Sequence, residues 1–384
     1  MTCAEETQVS AARLLVADDQ PHILAALDML LRERGYEVKF AATPADVLQT
    51  LHAGAFDAVV MDLNYTRDTT GGGEGLELVS RIHAIDETLP LLVMTAWSSV
   101  DLAVEAMRRG ASDFVQKPWD NRELLQKVHE QVQRCRARRR AQRRQEEESR
   151  EAREIQDSLM PRVIPQVAGY DISARTQSAR FVGGDYFDVQ RIDDTRTAFC
   201  IADAAGKGMP GALLMSNLQA ALKPLIHEGV DPREACKRLN RALCEVMPAH
   251  KFISLFYGVL DSGRNRLTYC NAGHNPPLLV RANGETTELA SSGAVLGYFP
   301  DWDYAQSEVE LRRGDILLLF TDGVVEAESE AGEPFGEHRL LEHARAIRVS
   351  EAAGLQEALL KKVSEHCRGH FQDDATMIVL RAKN

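Results

Sequence analysis

Four aspartates in the C-terminal half of the sequence lie in short turns beside apolar runs. They are Asp185, Asp203, Asp322 and Asp373. One aspartate of this kind would indicate only a turn, but four within one segment favour a common site. Carboxylates so far apart along the chain can act together only if a sheet gathers them, and such hard oxygen ligands select Mg²⁺ or Mn²⁺. The pattern predicts a metal-dependent hydrolase.

A second set of polar residues lies nearer the N-terminus, each after a short apolar run. The set is Asp18, Asp19, Asp62, Thr95 and Lys117. If the runs are parallel strands, their carboxyl ends share one edge of a sheet and these side chains converge there. Such a pocket can hold Mg²⁺ and accept a phosphoryl group on Asp62, with Thr95 and Lys117 hydrogen-bonding the acyl phosphate. Taken singly, the same residues would be helix caps or solvated charges.

The elements that would position this pocket lie in residues 1–119, expected to form the first domain. Apolar runs alternate there with amphipathic segments, which predicts an α/β doubly wound domain with a parallel five-stranded sheet. The expected strands are Leu14–Ala17, Val38–Ala41, Ala58–Met61, Leu91–Met94 and Asp113–Val115.

Residues 120–160 are expected to connect two domains. They contain neither glycine nor proline, which predicts one long helix or a pair of helices. Seven arginines between Arg134 and Arg144 could bind nucleic acid, but a run of this kind is more often a solvated helix face with ion pairs. An interrupted apolar stripe makes a parallel coiled-coil dimer a hypothesis. The stripe is Leu125, Val128, Val132 and Cys135, then Ala152, Ile155 and Leu159.

Residues 161–384 change to mainly β patterning and would form the last domain. Groups of strands with few helices predict an α+β domain of sheets packed face to face, with helices outside. Helices are expected after Met209, after Asp231 and over 337–366. The expected strands are Ala198–Ala202, Phe252–Leu260, Leu267–Cys270, Leu278–Val280, Ile316–Phe320 and Met377–Leu380.

The composition narrows the class of protein. A net charge of -12 argues against general nucleic-acid binding. No apolar run approaches the roughly 20 residues that cross a bilayer, and the N-terminus lacks a signal peptide's order, so a soluble cytoplasmic protein is expected. The seven cysteines, without CxxC spacing, fit reduced thiols.

The N-terminal motifs resemble the response-regulator receiver domain. The resemblance implies that Asp62 is the phosphoacceptor and that Asp18, Asp19 and the Asn64 carbonyl bind Mg²⁺ beside it. A sensor histidine kinase would be the phosphodonor. The matching segments are Val16-Ala-Asp-Asp19, Val60-Met-Asp-Leu63, Met94-Thr-Ala96 and Lys117-Pro118.

The same resemblance implies that Thr95 and Lys117 contact the phosphoryl group and that Phe114 is the aromatic switch residue. One segment departs from the receiver pattern. Between Asp62 and Gly75 the loop is glycine-rich, longer than the family's usual loop, and lacks its proline. A flexible insertion there would reshape the rim of the pocket or a partner surface.

The C-terminal motifs resemble the SpoIIE-type branch of the PPM metal-dependent protein Ser/Thr phosphatases. By that resemblance Asp203 bridges two Mn²⁺ or Mg²⁺ ions, the Ala204 carbonyl completes the second, Asp322 and Asp373 hold the first, and Asp185 supports the pair. The matching segments are Phe181-Val-Gly-Gly-Asp-Tyr-Phe-Asp188, Ile201-Ala-Asp-Ala-Ala-Gly-Lys-Gly-Met-Pro-Gly-Ala212, Asn271-Ala-Gly-His-Asn-Pro-Pro277, Leu318-Leu-Phe-Thr-Asp-Gly323 and Asp373-Asp-Ala-Thr376.

Two metal ions about 3.5–4 Å apart would activate a bridging water for in-line attack on phosphorus. The motifs contain no arginine to assign as a phosphate clamp, and the general acid stays unassigned. His274, in a Gly/Pro turn, is more often structural than a general acid. Asp374 would orient its loop or act as a ligand, and Lys207 would be a turn residue.

Together the two resemblances predict a two-component regulator in which phosphorylation of Asp62 switches a phosphoserine/phosphothreonine phosphatase. A phosphorylated anti-sigma-factor antagonist would be the substrate. Two rivals are a catalytically silent partner-binding regulator and a nucleic-acid-binding regulator that uses the arginine run. All four metal carboxylates are present, which argues against a decayed site, and no helix-turn-helix pattern follows the arginines.

Overall fold

The computed structural model describes residues 11–65, 73–96, 100–347 and 351–383. The chain divides into two compact units, Met1–Glu146 and Glu147–Asn384. Each unit buries its own apolar clusters, which lie on both faces of its sheets.

The first unit is a parallel sheet with helices between its strands. The strand order is β2-β1-β3-β4-β5, and every pairing is parallel. This confirms the predicted α/β doubly wound domain. The elements in chain order are β1 Arg13–Ala17, α1 Pro21–Arg32, β2 Glu37–Ala41, α2 Pro44–Ala53, β3 Ala58–Asp62, α3 Gly73–Ile85, β4 Leu91–Ala96, α4 Val100–Arg108, β5 Asp113–Lys117 and α5 Asn121–Leu159.

The central strands are apolar without interruption because both faces of the sheet are covered. In β3, Val59 and Met61 pack into the cluster that contains residues of α2 and α3. Val60 points to the other face, where it joins Leu27 of α1 and Val128 of α5. The alternation of side chains along the strand therefore places every residue of the run in one core or the other.

The connector is one helix, α5, and the boundary between the two units falls inside it. Its first turns belong to the core of the first unit, where Leu124 is buried with Val128 and Val132 and the expected Leu125 packs against them half-buried. This part of the apolar stripe is therefore used within the chain. Arg136, from the arginine run, pairs with Asp57, with 3.1 Å between Nη2 and Oδ2. A coiled coil formed by the later turns stays a prediction.

The second unit contains two antiparallel sheets and the remaining helices. The strand orders are β13-β10-β9-β8-β7 and β12-β11-β14-β15-β6. The elements are β6 Tyr170–Gln177, β7 Tyr186–Arg191, β8 Arg196–Ala204, α6 Met209–His227, α7 Pro232–Val246, β9 Ile253–Asp261, β10 Arg266–Ala272, β11 Leu278–Val280, β12 Thr286–Glu288, β13 Ser307–Glu310, β14 Ile316–Phe320, α8 Asp322–Val325, α9 Gly336–Ala346, α10 Ala352–His366 and β15 Ala375–Ala382.

The two sheets pack face to face with helices on their outer faces. Phe199 of β8 and Leu317 of β14 share the cluster between the sheets. Cys200, the next residue of β8, joins the cluster under α6 and α7, and Leu318 of β14 joins the one under α9 and α10. Four layers, helix, sheet, sheet and helix, confirm the predicted α+β sandwich.

Two details of this unit differ from the prediction. The helical stretch expected over 337–366 is two helices, α9 and α10, because Ile347 leaves α9 with an extended backbone (ψ 118°). The apolar runs also missed β6, β7, β12 and β13. β13, with the sequence Ser-Glu-Val-Glu, is a short edge strand, and its outer face needs no apolar residues.

Candidate functional sites

The first unit gathers its polar set at the carboxyl edge of the sheet. Asp62 ends β3, Lys117 ends β5, and Asp18 and Asp19 follow β1 directly. Nζ of Lys117 lies 2.7 Å from Oδ2 of Asp18 and 2.8 Å from Oδ2 of Asp62. The buried Thr95 lies near the end of the intervening strand β4. Parallel strand ends therefore place these residues as the sequence predicted.

The charges in this pocket partly compensate one another. Burial raises the pKa of Asp62, although hydrogen bonding from Lys117 opposes that shift. Burial tends to lower the pKa of Lys117, yet its hydrogen bonds to Asp18 and Asp62 raise it overall. The ammonium therefore stays charged and stabilises the carboxylates around it.

A cation could be held at this edge by three carboxylates. One ligand atom from each of Asp18, Asp19 and Asp62 lies within 4.8 Å of the others. The backbone N–H of Asn64 donates to Asp62. The side chain of Phe114 is 38% exposed, and Nζ of Lys127 lies 5.1 Å from its ring centroid. The oxygen-rich donor set, of which Asp18 and Asp62 are buried, fits Mg²⁺. Residues 66–72 of the glycine-rich loop lie outside the described residues.

In the second unit the four aspartates come from the ends of four strands. Asp185 precedes β7 and Asp203 lies near the end of β8, and these strands are antiparallel neighbours. Asp322 follows β14 closely and Asp373 precedes β15, in the other sheet, where the two strands are again antiparallel neighbours. In each sheet, one strand ends where its neighbour begins. The four aspartates therefore lie at one edge of the sandwich.

Asp185 is the most deeply buried of the four and is held by two threonines. Its Oδ2 accepts hydrogen bonds from Oγ1 of Thr321 at 2.8 Å and from Oγ1 of Thr376 at 2.5 Å. Burial, followed by the charge of Asp203, raises the pKa of Asp185 well above its ordinary value. The threonines fix the carboxylate but bring no positive charge to it.

The pKa of Asp203 is raised in the same way. Burial, and then the charges of Asp322, Asp373 and Asp374, raise the pKa of Asp203 to about 7. Burial and like charge also raise the pKa of Asp322. Carboxylates that oppose one another's ionisation in this way form an arrangement that bound cations would relieve.

Two glycines allow the backbone to approach these carboxylates. A Cβ on Gly184 would lie 2.7 Å from the Ala204 carbonyl oxygen and 3.3 Å from Oδ1 of Asp203. A Cβ on Gly183 would lie 1.4 Å from Oδ2 of Asp374. The Gly-Gly turn thus brings the Ala204 carbonyl and the Asp203 carboxylate, two of the predicted ligands, to the same place.

The four phosphatase aspartates are less tightly grouped than the three receiver carboxylates. Within the described ranges, the set of Asp18, Asp19 and Asp62 is the one in which three ligand atoms lie within 4.8 Å of one another. No three of the phosphatase aspartates, all of them among the described residues, meet that criterion. The oxygen donors and the glycine cradle fit Mg²⁺ or Mn²⁺.

Asp374, His274 and Lys207 belong to the motifs of this site, and each makes a different contact. Asp374 accepts from the backbone N–H of Ala179 at 2.9 Å, so it orients the loop, one of its two expected roles. His274 is buried, its Nδ1 lies 2.8 Å from Oγ of Ser254, and burial lowers its pKa to about 4. A buried histidine with this hydrogen bond is what the structural interpretation of His274 predicts. Nζ of Lys207 lies 2.8 Å from Oδ2 of Asp373, a contact that the sequence did not predict.

Sequence reasoning missed one residue that holds the Asp185 turn. Gln156, near the end of α5 and 8% exposed, donates from Nε2 to the Gly183 carbonyl at 2.7 Å and accepts from the Gly183 N–H at 3.1 Å. Thr321 and Thr376 belong to the sequence motifs without an assigned role, and the position of Thr321 directly before Asp322 was the available signal. Gln156 carried no signal, since it is one polar residue in a polar helix.

Both units match families of known proteins. Residues 193–383 match the family described as Stage II sporulation protein E (SpoIIE), and residues 14–129 match the response regulator receiver domain. Phosphoserine phosphatase RsbU of Bacillus subtilis is 33% identical over 236 residues, covering 60% of this chain and 69% of RsbU. Phosphoserine phosphatase RsbP of the same organism is 27% identical over 235 residues, covering 60% of this chain and 56% of RsbP.

The crystal structure of the RsbU and RsbW domains of a Mycobacterium tuberculosis protein has a TM-score of 0.50 and 28% identity, covering 57% of this chain and 63% of that one. The chain belongs to the SpoIIE family of PPM-type phosphatases and carries a response-regulator receiver domain. Its second unit is thus a metal-dependent protein serine/threonine phosphatase domain. None of the helices in the described part of the chain is both long and apolar enough to span a membrane.

Proposed function

We propose that phosphorylation of Asp62 in the receiver, with a sensor histidine kinase as donor, switches phosphoserine/phosphothreonine hydrolysis at the aspartate cluster of the second unit. The supporting observation is that four aspartates from both sheets converge, and that burial and neighbouring carboxylates raise the pKa of Asp185, Asp203 and Asp322, which is the arrangement expected for bound cations. The similarity to two phosphoserine phosphatases supports the reaction.

We assign the phosphatase ligands as the family resemblance implies. Asp203 would bridge two ions, Asp322 and Asp373 would hold the first, the Ala204 carbonyl the second, and Asp185 would support both. Bound Mn²⁺ or Mg²⁺ would supply a water of lowered pKa and a clamp for the phosphate oxygens.

Three neighbouring residues position the ligands. Thr321 and Thr376 hold Asp185 in one rotamer through two hydrogen bonds. Gly184 leaves room for the Ala204 carbonyl. Because Asp185 is held by the two hydrogen bonds before a cation arrives, its carboxylate needs little reorganisation on binding.

In the receiver, Asp18, Asp19 and the Asn64 carbonyl would hold Mg²⁺ beside Asp62. Lys117 already contacts Asp62 at 2.8 Å, so its ammonium is in place to hydrogen-bond a phosphoryl oxygen. Thr95 would contact the phosphoryl group, and Phe114 would respond to that contact as the switch residue.

The substrate and the assembly are further parts of the proposal. A phosphorylated anti-sigma-factor antagonist fits a relative of RsbU and RsbP. A homodimer through the later turns of α5 fits the exposure of Ile155, which is 59% exposed on that helix. Localisation in the cytoplasm is proposed with them.

The test of the phosphatase site is Asp203→Asn, assayed with p-nitrophenyl phosphate and Mn²⁺. Turnover should be abolished, since the bridging carboxylate loses its charge, while Asp301→Asn, at an exposed aspartate of the same unit, should behave as wild type. Turnover equal to wild type in Asp203→Asn would refute the site. Asp62→Ala should lose regulation by acetyl phosphate or kinase and keep basal turnover. Loss of basal turnover there would contradict control by the receiver as a separate module.

A further inference from the structure

Three cations from three separate segments lie near the loop that follows Asp203. Arg180 precedes the Gly183–Asp185 turn, Lys207 lies between β8 and α6, and Lys251 precedes β9. Nζ of Lys207 is 2.8 Å from Oδ2 of Asp373, and the charge of Arg180 acts on Lys207. Nζ of Lys251 lies 3.1 Å from the position that a Cβ on Gly206 would take, in the same loop as Lys207.

Two of these cations are not used by the protein itself. Among the described residues, no carboxylate lies within 4.0 Å of the Arg180 or Lys251 side-chain nitrogens. The chain carries a net charge of -12, so carboxylates are plentiful elsewhere. Unpaired cations beside a buried acidic cluster are therefore available to an anion that approaches from solvent.

Exposed apolar side chains follow Lys207 and Lys251 along the chain. Met209 is 45% exposed, Leu213 61% and Phe252 38%. Met209 and Leu213 are one turn apart on α6, so they share a face of that helix. The Phe252 carbonyl accepts from the Ala205 N–H at 2.9 Å, which ties its segment to the loop that carries Lys207. Single exposed apolar residues are common, but a group beside a reaction site marks a contact surface.

We infer that Arg180, Lys207, Lys251, Met209, Leu213 and Phe252, here called the rim, bind a phosphoserine or phosphothreonine segment of a protein substrate whose neighbouring side chains are apolar. This deepens the proposed function and rests on it. The cations hold the phosphate dianion, and Lys207 is the cation nearest the metal ligands. The apolar members contact the residues on either side of the phosphorylated one.

The charges of the site set the preference among substrates. An acidic residue beside the phosphoserine would compete with the phosphate for the rim cations and would lie near Asp322 and Asp373. An apolar residue there would bury surface against Met209, Leu213 or Phe252 instead. Discrimination arises both from this attraction and from the repulsion of acidic neighbours.

The test uses the full-length protein with Mn²⁺, p-nitrophenyl phosphate and two phosphoserine peptides of equal length. One peptide carries leucine and methionine beside the phosphoserine and the other carries glutamates. We expect kcat/KM to be about tenfold higher for the apolar peptide. Leu213→Glu, at a position 61% exposed, should lower that ratio about fivefold. Thermal unfolding of the variant confirms that it is folded.

A second arm tests the cations with inorganic phosphate as a competitive inhibitor. Lys251→Met should raise its inhibition constant about fivefold, because one charge-assisted contact is lost. Val163→Glu, at a residue that is 80% exposed and outside the rim, is the matched control and should leave both the peptide ratio and the inhibition constant as in wild type.

The outcomes separate this inference from the function on which it rests. Equal kcat/KM for the two peptides, or a preference for the acidic one, would overturn the inference while hydrolysis of p-nitrophenyl phosphate leaves the proposed function standing. An unchanged ratio in Leu213→Glu would also overturn it. Wild-type protein that hydrolyses no substrate at all would overturn the proposed function itself.

Discussion

The side chain of Gln156 offers a direct test of how the Asp185 turn is held. Its amide donates to the Gly183 carbonyl at 2.7 Å and accepts from the Gly183 N–H at 3.1 Å, in a buried position. These two bonds satisfy both backbone groups of a residue two positions before Asp185. Gln156→Met keeps the length and approximate volume of the side chain and removes both bonds.

The loss in free energy of unfolding in Gln156→Met follows from those two hydrogen bonds. Each contributes about 1 kcal/mol, and a backbone group left unpaired in a buried position costs up to about 3 kcal/mol. A loss of about 2–4 kcal/mol follows if the turn relaxes in part. For a unit of this size the corresponding drop in Tm is roughly 4–16 °C. If the turn instead opens while the rest stays folded, Mn²⁺ affinity should fall, by about 30-fold for about 2 kcal/mol.

The assay is thermal unfolding of the full-length protein with EDTA and with Mn²⁺, together with a Mn²⁺ titration of p-nitrophenyl phosphate turnover. Asp157→Asn is the matched control, since its carboxylate is 63% exposed and its pair with Arg153 is a surface ion pair worth little. A Tm and a Mn²⁺ dependence in Gln156→Met equal to those of the control would refute the reasoning.

Three further perturbations have defined outcomes. Without metal, Asp203 in the folded protein has a pKa of about 7, whereas in the unfolded chain its pKa is near the ordinary value of 3.8. The folded state therefore keeps a proton that the unfolded state has released, so the Tm of EDTA-treated protein should fall between about pH 5 and 7. Asp203→Asn should flatten that slope, and a slope unchanged in the variant would contradict the assignment. Lys117→Met removes the ammonium that contacts Asp62, so labelling of Asp62 by acetyl phosphate, followed by mass spectrometry, should fall about tenfold. Labelling at the wild-type rate would be the contrary result. Thr376→Val removes one bond to Asp185 and should raise the Mn²⁺ concentration for half-maximal turnover about fivefold, and an unshifted Mn²⁺ curve would contradict it.

Strands buried on both faces made most of the fold predictable. β14 has the sequence Ile-Leu-Leu-Leu-Phe because Leu317 and Leu319 face the other sheet while Leu318 and Phe320 face the helices. A polar residue directly after such a run stands out, which is why Asp322 could be proposed from the sequence. The same logic located Asp62 at the end of β3.

What escaped prediction depends on contacts between distant segments. The pair of Lys207 with Asp373 closes only when both sheets are assembled, and nothing local marks either residue as the partner of the other. The short edge strands β12 and β13 were missed because they carry few apolar residues, and β7 was missed because the buried polar Asp188 interrupts its apolar run. Gln156 was missed because its role depends on the backbone groups of Gly183, which lie in a distant turn, and not on any pattern within α5.

The two acidic sites solve the problem of buried charge differently. In the receiver pocket Lys117 contacts both Asp18 and Asp62, so a resident cation offsets the carboxylates, and burial raises the pKa of Asp62 against that opposition. Around Asp185 the hydrogen-bond donors are two neutral hydroxyls, and the nearest charge is another carboxylate, Asp203. The phosphatase cluster therefore depends on added cations to ionise at neutral pH, whereas the receiver pocket has one built in. Metal removal should for that reason disturb the second unit more than the first.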